Sequence, residues 1–597
     1  MVLSRTRSVL VVVCLMVCLL VCNTVQAAPP STAQSPFGEV IEVNVVNVDV
    51  HVTDRDGRPV PGLKSEDFEV YEDGKRVKVT NFEAIKVETE TAAVPKASAA
   101  PAPAAPEPAK AEVAPEDRLH LVVYVDNLNL DPAHRTRVLE QVRTFVKDLR
   151  PEDRVMLVTN DLGLKVRLPF TADPAALEAT LDAVERLPAA GASAESDRRE
   201  AMRQVLEIRE AVRKIEGPCS RSIMVPAESY AETMRNQVLQ SLKSMTVLVN
   251  SLSGVPGRKA LLYVSDGLPA TPGEEVFQLL AEICSGGNAN GIQDVHDPDL
   301  EGPIDQFKGS EALMKAMRFS VVEDLNRLAA HANANRVTLY TLQAAGLQSS
   351  SSSMADYGPN ERVLQLPNLQ FVQKTNLENS LTLLASETGG KAILNANDVS
   401  PDLRRMKEDL SSYYSLGYVP EHTGDAKEHR IEVKIRKPGL QVRSRRSYRD
   451  KPAIERVVDR TLAAVYHGFE DNPLEVTLKL GEQVAQGDRF QVPIKLRIPL
   501  FKLAILPQQD KIYRGSLRLL VSTRDEQGGV SPIRQIQVPL EIPEQQILYA
   551  MGQFYEYDLI LVLPPGEQHV AITVRDEATA ATSILSRTLT VGGEPAR

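Results

Sequence analysis

Alternation of apolar and polar residues marks the first strand of the chain. In residues 46–52, VNVDVHV, valines alternate with polar residues, which is typical of a strand with one buried face. Asp-Gly turns at 56–57 and 73–74 separate further short strand-like runs. The pattern therefore predicts a small all-β module over residues 38–88.

The pattern changes near residue 119, where apolar strands begin to alternate with helical segments. HLVVYV is followed by a helix that carries Val138, Val142, Phe145 and Leu149 on one face. Strands separated by helices of this length predict a mostly parallel sheet covered on both faces. We therefore predict a doubly wound α/β domain over residues 117–450, with insertions near 194–225, 285–310 and 347–375.

Two composition changes delimit the rest of the chain. Residues 89–116 are rich in Ala and Pro, cannot build a core, and are expected to form a semi-rigid linker. Residues 453–597 carry roughly seven strand-like runs at short spacing. They predict a C-terminal β-sandwich, which is immunoglobulin-like only by analogy.

The first 27 residues have the pattern of a secretory signal peptide. Arg5 and Arg7 precede an apolar run over Val9–Val21, and small residues end at Ala27. Lipid attachment at Cys22 and an uncleaved anchor helix are the alternatives. We expect export to the periplasm or the extracellular space, with no transmembrane segment after removal of the signal.

Two cysteines lie beyond the predicted leader, Cys219 and Cys284. An even pair in an oxidising compartment predicts one disulfide. Two separate buried thiols are the alternative.

Composition and motifs narrow the class of function. The chain has 597 residues and a formal net charge of -11, which argues against a nucleic-acid surface. The nine histidines are scattered, and no His-x-x-x-His pair, nucleophile elbow, phosphate loop or Cys-x-x-Cys occurs. The acidic stretch 285–305 is interpreted as a solvated loop or a calcium loop, and the basic stretch 443–450 as a charged strand face.

An ordered set of segments resembles von Willebrand factor type A-related proteins of acidobacteria. The resemblance covers residues 40–450 and is carried by VDVHVTDRDGRPVPGLKSEDFEVYEDGK, VYVDNLN, DRVMLVTND, GRKALLYVSDGLP and YYSLGYVP. It implies a protein-binding module whose face lies at the carboxyl ends of the parallel strands. Many members hold Mg²⁺ or Mn²⁺ there, in a metal-ion-dependent adhesion site completed by a carboxylate of the partner.

Carried over residue by residue, the resemblance leaves this metal site degenerate. Asp126 matches the first aspartate and Asp266 the later one. Leu128 and Leu130 stand where the family has serine ligands, and Ser193 is the best substitute for its threonine.

Three interpretations of the site stay open. In the first, no ion binds, Asp126 caps the following helix, and Asp266 holds its own turn. In the second, Asn127, Asn129 or Asp131 supply oxygens, so that Mg²⁺, Mn²⁺ or Ca²⁺ still binds. In the third, the two carboxylates are catalytic.

The sequence thus favours an exported, non-enzymatic, adhesion-type module that binds a protein partner of unknown identity. A structural or assembly component of the cell envelope, without metal dependence, is the alternative. An exported hydrolase is the second alternative.

Overall fold

The computed structural model describes residues 45–86, 118–188, 191–212, 219–284, 308–347 and 367–592. The predicted signal peptide, the Ala/Pro linker and the acidic stretch 285–305 lie outside the described residues. Within the described ranges, no helix is long and apolar enough to cross a membrane.

Strands and helices are numbered separately in chain order. The strands are β1 (Val46–Thr53), β2 (Phe68–Glu72), β3 (Lys75–Val77), β4 (Val79–Lys86), β5 (Leu119–Val125), β6 (Arg154–Asn160), β7 (Leu164–Thr171), β8 (Arg258–Ser265), β9 (Val337–Gln343), β10 (Ala392–Ile393), β11 (Ser412–Tyr418), β12 (Glu428–Ile435), β13 (Gln441–Arg443), β14 (Ser447–Arg449), β15 (Thr477–Leu480), β16 (Val484–Gln486), β17 (Arg489–Pro499), β18 (Leu506–Pro507), β19 (Ile512–Asp525), β20 (Arg534–Pro543), β21 (Phe554–Leu563), β22 (Gly566–Asp576) and β23 (Thr582–Val591). The helices are α1 (Pro132–Lys147), α2 (Pro174–Glu185), α3 (Gly191–Val212), α4 (Met224–Ser251), α5 (Glu274–Cys284), α6 (Gly309–Ala316), α7 (Val322–Ala334), α8 (Pro367–Thr388), α9 (Ser400–Ser411), α10 (Ala453–His467) and α11 (Ile547–Ala550).

A six-stranded sheet with the order β10-β9-β8-β5-β6-β7 forms the centre of the α/β domain. Its strands are parallel except β7, which runs antiparallel to β6. Every residue of β5 is buried, because Leu121 and Val123 face one hydrophobic cluster while Val122 and Tyr124 face another. The predicted α/β domain with a mostly parallel sheet is confirmed, and the parallel strands deliver their carboxyl ends to one edge.

The N-terminal strands complete two antiparallel sheets with strands from the far end of the α/β domain. The sheet orders are β13-β1-β11-β4 and β14-β12-β2-β3. Val48 pairs with Leu416 and Val70 pairs with Val433, and their side chains share one core. The strands of the predicted small module are therefore not self-contained, because main-chain groups left open at their edges bond to residues about 350 positions later.

The described residues within and beside the segments predicted as insertions form a helical layer, which we call the helical cap. Residues 285–307 and 348–366 of those segments lie outside the described residues. The helical cap consists of α3, the first turns of α4, α5, α6 and the start of α8, which share a hydrophobic cluster. With 28 residues, α4 is about 42 Å long, whereas the eight residues of β8 span about 26 Å. The predicted disulfide between Cys219 and Cys284 is present, with a Cα separation of 5.7 Å, and it joins the segment before α4 to the end of α5.

Two further antiparallel sheets follow α10 at the C-terminal end. One has β17 between β15 and β21, and the other has β19 between β20 and β22. Their inward side chains form one hydrophobic cluster, which confirms a β-rich C-terminal part; the immunoglobulin-like topology stays a prediction. Helix α10 lies between this part and the α/β domain, where His467 Nε2 is 2.9 Å from the carbonyl oxygen of Ser251.

The close approach of Gly254 to α10 gives a stability prediction. A Cβ atom at Gly254 would lie 2.3 Å from Cα of Arg460 and 2.3 Å from the carbonyl oxygen of Asp459. Since backbone cannot move aside as a flexible side chain can, Gly254→Ala should lower the free energy of unfolding by about 1–3 kcal/mol.

Gly163→Ala is the matched control, because a Cβ at Gly163 has no heavy atom within 4 Å. Urea unfolding of both variants checks the prediction. Equal stabilities of the two variants would contradict the packing of α10 against the turn after α4.

Candidate binding site at the carboxyl edge of the parallel sheet

Asp126 directly follows β5 and is fully buried. Its carboxylate accepts three hydrogen bonds, from Asn160 Nδ2 at 3.0 Å, Asn129 Nδ2 at 2.9 Å and the Tyr263 hydroxyl at 2.5 Å. Burial raises the pKa of Asp126, and these hydrogen bonds oppose the rise. Burial and the adjacent carboxylate also raise the pKa of Tyr263, which keeps the phenol protonated as a donor.

Helix α4 supplies a second layer of polar groups around Asp126. The hydroxyl oxygen of Ser241 accepts from Asn129 Nδ2 at 3.0 Å and from Asn160 Nδ2 at 3.2 Å. Gln237 Nε2 donates to Asn129 Oδ1 at 3.2 Å. Each amide that faces the carboxylate is therefore fixed in turn by α4, which makes the donor arrangement rigid.

The residues around Asp126 do not fit a metal-ion-dependent adhesion site. Leu130 is fully buried in the core of the sheet, and Leu128 is 5% exposed, so the serine positions contribute apolar packing. A divalent cation needs oxygen ligands, but amide N–H and phenol O–H groups surround the carboxylate. These donors occupy the positions around the carboxylate oxygens that a bound cation would take.

Asn127 turns away from Asp126 toward a separate ionic group. Its Nδ2 donates to Asp161 Oδ1 at 2.6 Å, and its Oδ1 accepts from Arg135 Nη1 at 3.0 Å. Although burial would raise the pKa of Asp161, hydrogen bonds from Asn127, Thr159 and Arg167 hold it below its usual range. Asn127 and Asn129, which the rebuilt-site interpretation expected to face one ion together, therefore serve different carboxylates.

Asp266 is held by the loop after β5 rather than by its own turn. Its Oδ2 accepts from the backbone N–H of Asp131 at 2.8 Å, and His134 Nδ1 lies 3.0 Å from both of its oxygens. The hydroxyl of Ser265 accepts from Gly267 N–H and so holds the Ser-Asp-Gly turn. The prediction that Asp266 would hold its own turn is wrong, because its carboxylate instead contacts Asp131 and His134, which follow β5.

The helix cap also differs from the sequence prediction. Asp126 makes no side-chain capping bond to the short 3-10 turn that follows it. Asp131 caps α1 instead, accepting from Ala133 N–H at 2.8 Å, with Pro132 in the first turn. Asp126 was expected to cap the following helix. The 3-10 turn at 127–129 lies between them, so that α1 begins after Asp131.

Asn129 joins the two strand ends that carry the aspartates. Its side chain donates to Asp126, and its backbone oxygen accepts from Asp266 N–H at 2.9 Å and from the Ser265 hydroxyl at 3.1 Å.

Ser193, the predicted substitute ligand, lies exposed on the first turn of α3, whereas Asp126 is fully buried. That helix begins where Gly191 N–H donates to the Leu130 carbonyl at 3.3 Å.

Sequence reasoning missed most of the network around Asp126. Asn160 and Asp161 end the segment LVTND, where a polar pair after a buried strand gave a signal comparable to that of Asp126. Tyr263 lies inside an apolar strand, and Ser241 and Gln237 lie on a helix, so nothing local connects them with the site.

Comparisons with known proteins do not assign the chain to a family. No protein family matches the sequence, and no curated protein matches it. Among solved structures, a von Willebrand factor type A protein from Catenulispora acidiphila has 10% identity and a TM-score of 0.20, over 80% of this chain and 66% of that chain. An aerotolerance-related membrane protein from Bacteroides fragilis has 9% identity and a TM-score of 0.23, over 49% and 98%.

The tip protein Mfa5 of type V pili from Porphyromonas gingivalis has 10% identity and a TM-score of 0.23, over 76% of this chain and 75% of that chain. At these scores the similarities support no argument about family or function. The architecture of the α/β domain therefore rests on its own strand order.

The contact between His134 and Asp266 predicts a pH-dependent part of the stability. The hydrogen bond to Asp266 raises the pKa of His134. The stabilisation that this hydrogen bond gives to the fold is therefore complete at pH values below about 6.5, the pKa of histidine in the unfolded chain. It is lost as the pH rises through the higher pKa that His134 has in the folded protein. Both side chains are partly exposed, so we expect about 0.5–1 kcal/mol.

Urea unfolding of wild type and His134→Gln at about pH 5.5 and about pH 8 measures this contribution. Wild type should lose more stability across that interval than the variant. His569→Gln, on the C-terminal sheets, is the control. Because burial lowers the pKa of His569, its contribution has the opposite sign, and this variant should lose at least as much stability as wild type across the interval. The wild-type pH dependence in His134→Gln would exclude the contribution.

Proposed function

We propose that this chain is an exported, non-enzymatic protein-binding module that needs no metal ion at its binding surface. Its binding surface comprises the loops after β5, β6, β8 and β9, which we call the top face, and the adjoining helical cap. The proposal rests on the hydrogen bonds that the Asp126 carboxylate accepts. Because neutral donors of the chain itself compensate its charge, the carboxylate needs no cation.

Exposed apolar side chains on the top face support a protein partner. Leu162, directly after β6, is 74% exposed, and Leu347, after β9, is 60% exposed. Large apolar side chains that are exposed to solvent indicate a site of protein contact when they occur together on one surface. Leu162 also has a positive φ of 78°, a backbone conformation that a leucine adopts only when the surrounding loop enforces it.

The helical cap adds a second group of exposed apolar residues. Met314 and Met317, on α6 and the turn after it, are 73% and 65% exposed, and Val225 and Phe371 are 62% and 68% exposed. Methionine adapts its shape to a partner surface. The cap is anchored by the Cys219–Cys284 disulfide and by an ion pair of 2.5 Å between Lys315 and Glu228.

The metal-free part of the proposal is tested by calorimetric titration with Mg²⁺, Mn²⁺ and Ca²⁺. We expect no binding that depends on Asp126, because the atoms around its carboxylate are donors rather than ligands. Asp126→Asn keeps the shape of the side chain and is the matched variant. Micromolar binding by wild type that Asp126→Asn abolishes would restore a metal-dependent adhesion site.

The location of the binding surface is tested by site-specific photocrosslinking in the cells that produce the protein. A crosslinking residue at Leu162 or Met314 should form covalent protein adducts, and addition of a chelator should not abolish them. The comparison position is Tyr549 in the C-terminal part, which is 75% exposed. Adducts from Tyr549 alone would place binding on the C-terminal sheets and contradict the proposal.

A further inference from the structure

Six ionisable side chains converge where β2 pairs with β12, and we call them the histidine cluster. Glu72 ends β2, His429 lies in β12, and His422 lies in the loop after β11. The cluster is completed by Asp73, Asp425 and Asp450. Glu72 and His429 are each 7% exposed and Asp450 is 1% exposed, so these three lie largely out of water. The side chains of Asp73, Asp425 and His422 are 52%, 25% and 24% exposed.

Both imidazoles are oriented through the same ring nitrogen. Nδ1 of His422 lies 3.1 Å from Asp450 Oδ2, and Nδ1 of His429 lies 2.9 Å from Asp73 Oδ2. The two aspartates are themselves fixed by the backbone N–H groups of Gly424 and Arg430. A carboxylate on one imidazole nitrogen is the arrangement that orients histidine ligands in metal sites. In His422 the remaining Nε2 lies 3.4 Å from the Tyr448 hydroxyl.

Each Nε2 atom faces a further carboxylate. Nε2 of His429 is 3.2 Å from Asp425 Oδ1, and Nε2 of His422 is 3.6 Å from Glu72 Oε2, which is beyond hydrogen-bond distance. Oε1 of Glu72 accepts from the hydroxyls of Tyr418 and Tyr448, at 2.9 and 2.6 Å. In a tetrahedral zinc site with bonds of about 2.0–2.1 Å, ligand atoms are separated by about 3.3 Å.

The carboxylates of the cluster outnumber the cationic groups near them, even with Lys427, whose Nζ lies 4.0 Å from Asp425 Oδ2. Four carboxylates face two imidazoles, which can offer two positive charges only when both are protonated. The two rings are stacked, with centroids 3.8 Å apart and an interplanar angle of 13°, so double protonation would bring two like charges together. A divalent cation supplies the same charge while both imidazoles stay neutral.

We infer that Glu72, His422 and His429 bind one divalent cation of the zinc class. One potential ligand atom from each of the three lies within 4.8 Å of the others. Imidazole nitrogens favour zinc-like metals over Mg²⁺ and Ca²⁺. Asp425 is placed to provide a fourth ligand oxygen, while Asp450 and Asp73 orient the rings.

Binding requires one ring to rotate, because an ion cannot lie in the planes of two parallel rings at once. His422 is suited to this movement, since it lies in a loop and its side chain is 24% exposed. The bound ion would join the N-terminal strand β2 to residues about 350 positions later. Metal binding would therefore stabilise the pairing of β2 with β12.

The test is titration of the full chain, first freed of metal with a chelator, with Zn²⁺ and separately with Co²⁺. Co²⁺ reports its ligand geometry through its visible absorption spectrum. We expect one equivalent to bind, with an increase in the melting temperature. His422→Ala and His429→Ala should each weaken binding by at least about tenfold, and Glu72→Gln, which keeps an acceptor for the tyrosines, should do the same.

His569→Ala is the matched control, because His569 lies beside Glu567 outside the cluster, and its binding should equal that of wild type. Asp126→Asn should also bind normally, which separates this inference from the proposal for the top face. Absence of binding up to millimolar Zn²⁺, or binding unchanged in both histidine variants, would overturn the inference. Binding that needs His422 but not His429 would overturn the ligand set, and would assign the ion to His422, Asp425 and Asp450.

Discussion

The buried carboxylate of Asp126 is the constraint around which the top face is organised. An ionised carboxyl group out of water is costly by several kcal/mol unless donors surround it. Asn129, Asn160 and Tyr263 provide those donors from three different segments. Meeting this requirement fixes the loop after β5, and through the backbone of Asn129 it also fixes the end of β8. The carboxyl edge of the sheet is consequently rigid and hydrogen-bonded rather than open toward an ion.

The histidine cluster poses the same physical problem with a different solution. Glu72 is also buried, but its surroundings combine tyrosine hydroxyls with an imidazole at 3.6 Å. The amides around Asp126 present their N–H groups to the carboxylate, whereas Glu72 faces a ring nitrogen that can carry a lone pair. The two sites thus differ in chemistry although both place an acid at the end of a strand. This difference is why we expect metal at the cluster and not at the top face.

The two sites also lie on parts of the fold with different roles. The sheets formed by β1–β4 and β11–β14 close the chain on itself, since strands from its beginning and from after the α/β domain share one core. The top face and the helical cap are surrounded by apolar side chains that no described part of the chain covers, such as Met314 and Leu162. The proposed metal cross-link in the first region and the proposed contact surface in the second would suit a module that must stay folded while it holds a partner.

Local pattern determined which elements form, whereas the tertiary structure decided which residues meet. The apolar run of β5, the apolar face of α1 and the even cysteine pair each carry their signal within a few turns or in a simple count, and all three are present. The partners of Asp126 could not be predicted, because Tyr263 and Ser241 follow it by 137 and 115 positions and resemble ordinary core and helix residues. His422 and His429 gave no metal-binding spacing in the sequence, since their third ligand, Glu72, comes from a strand about 350 residues earlier. Contacts over such distances depend on strand order and register, which hydrophobic periodicity does not encode.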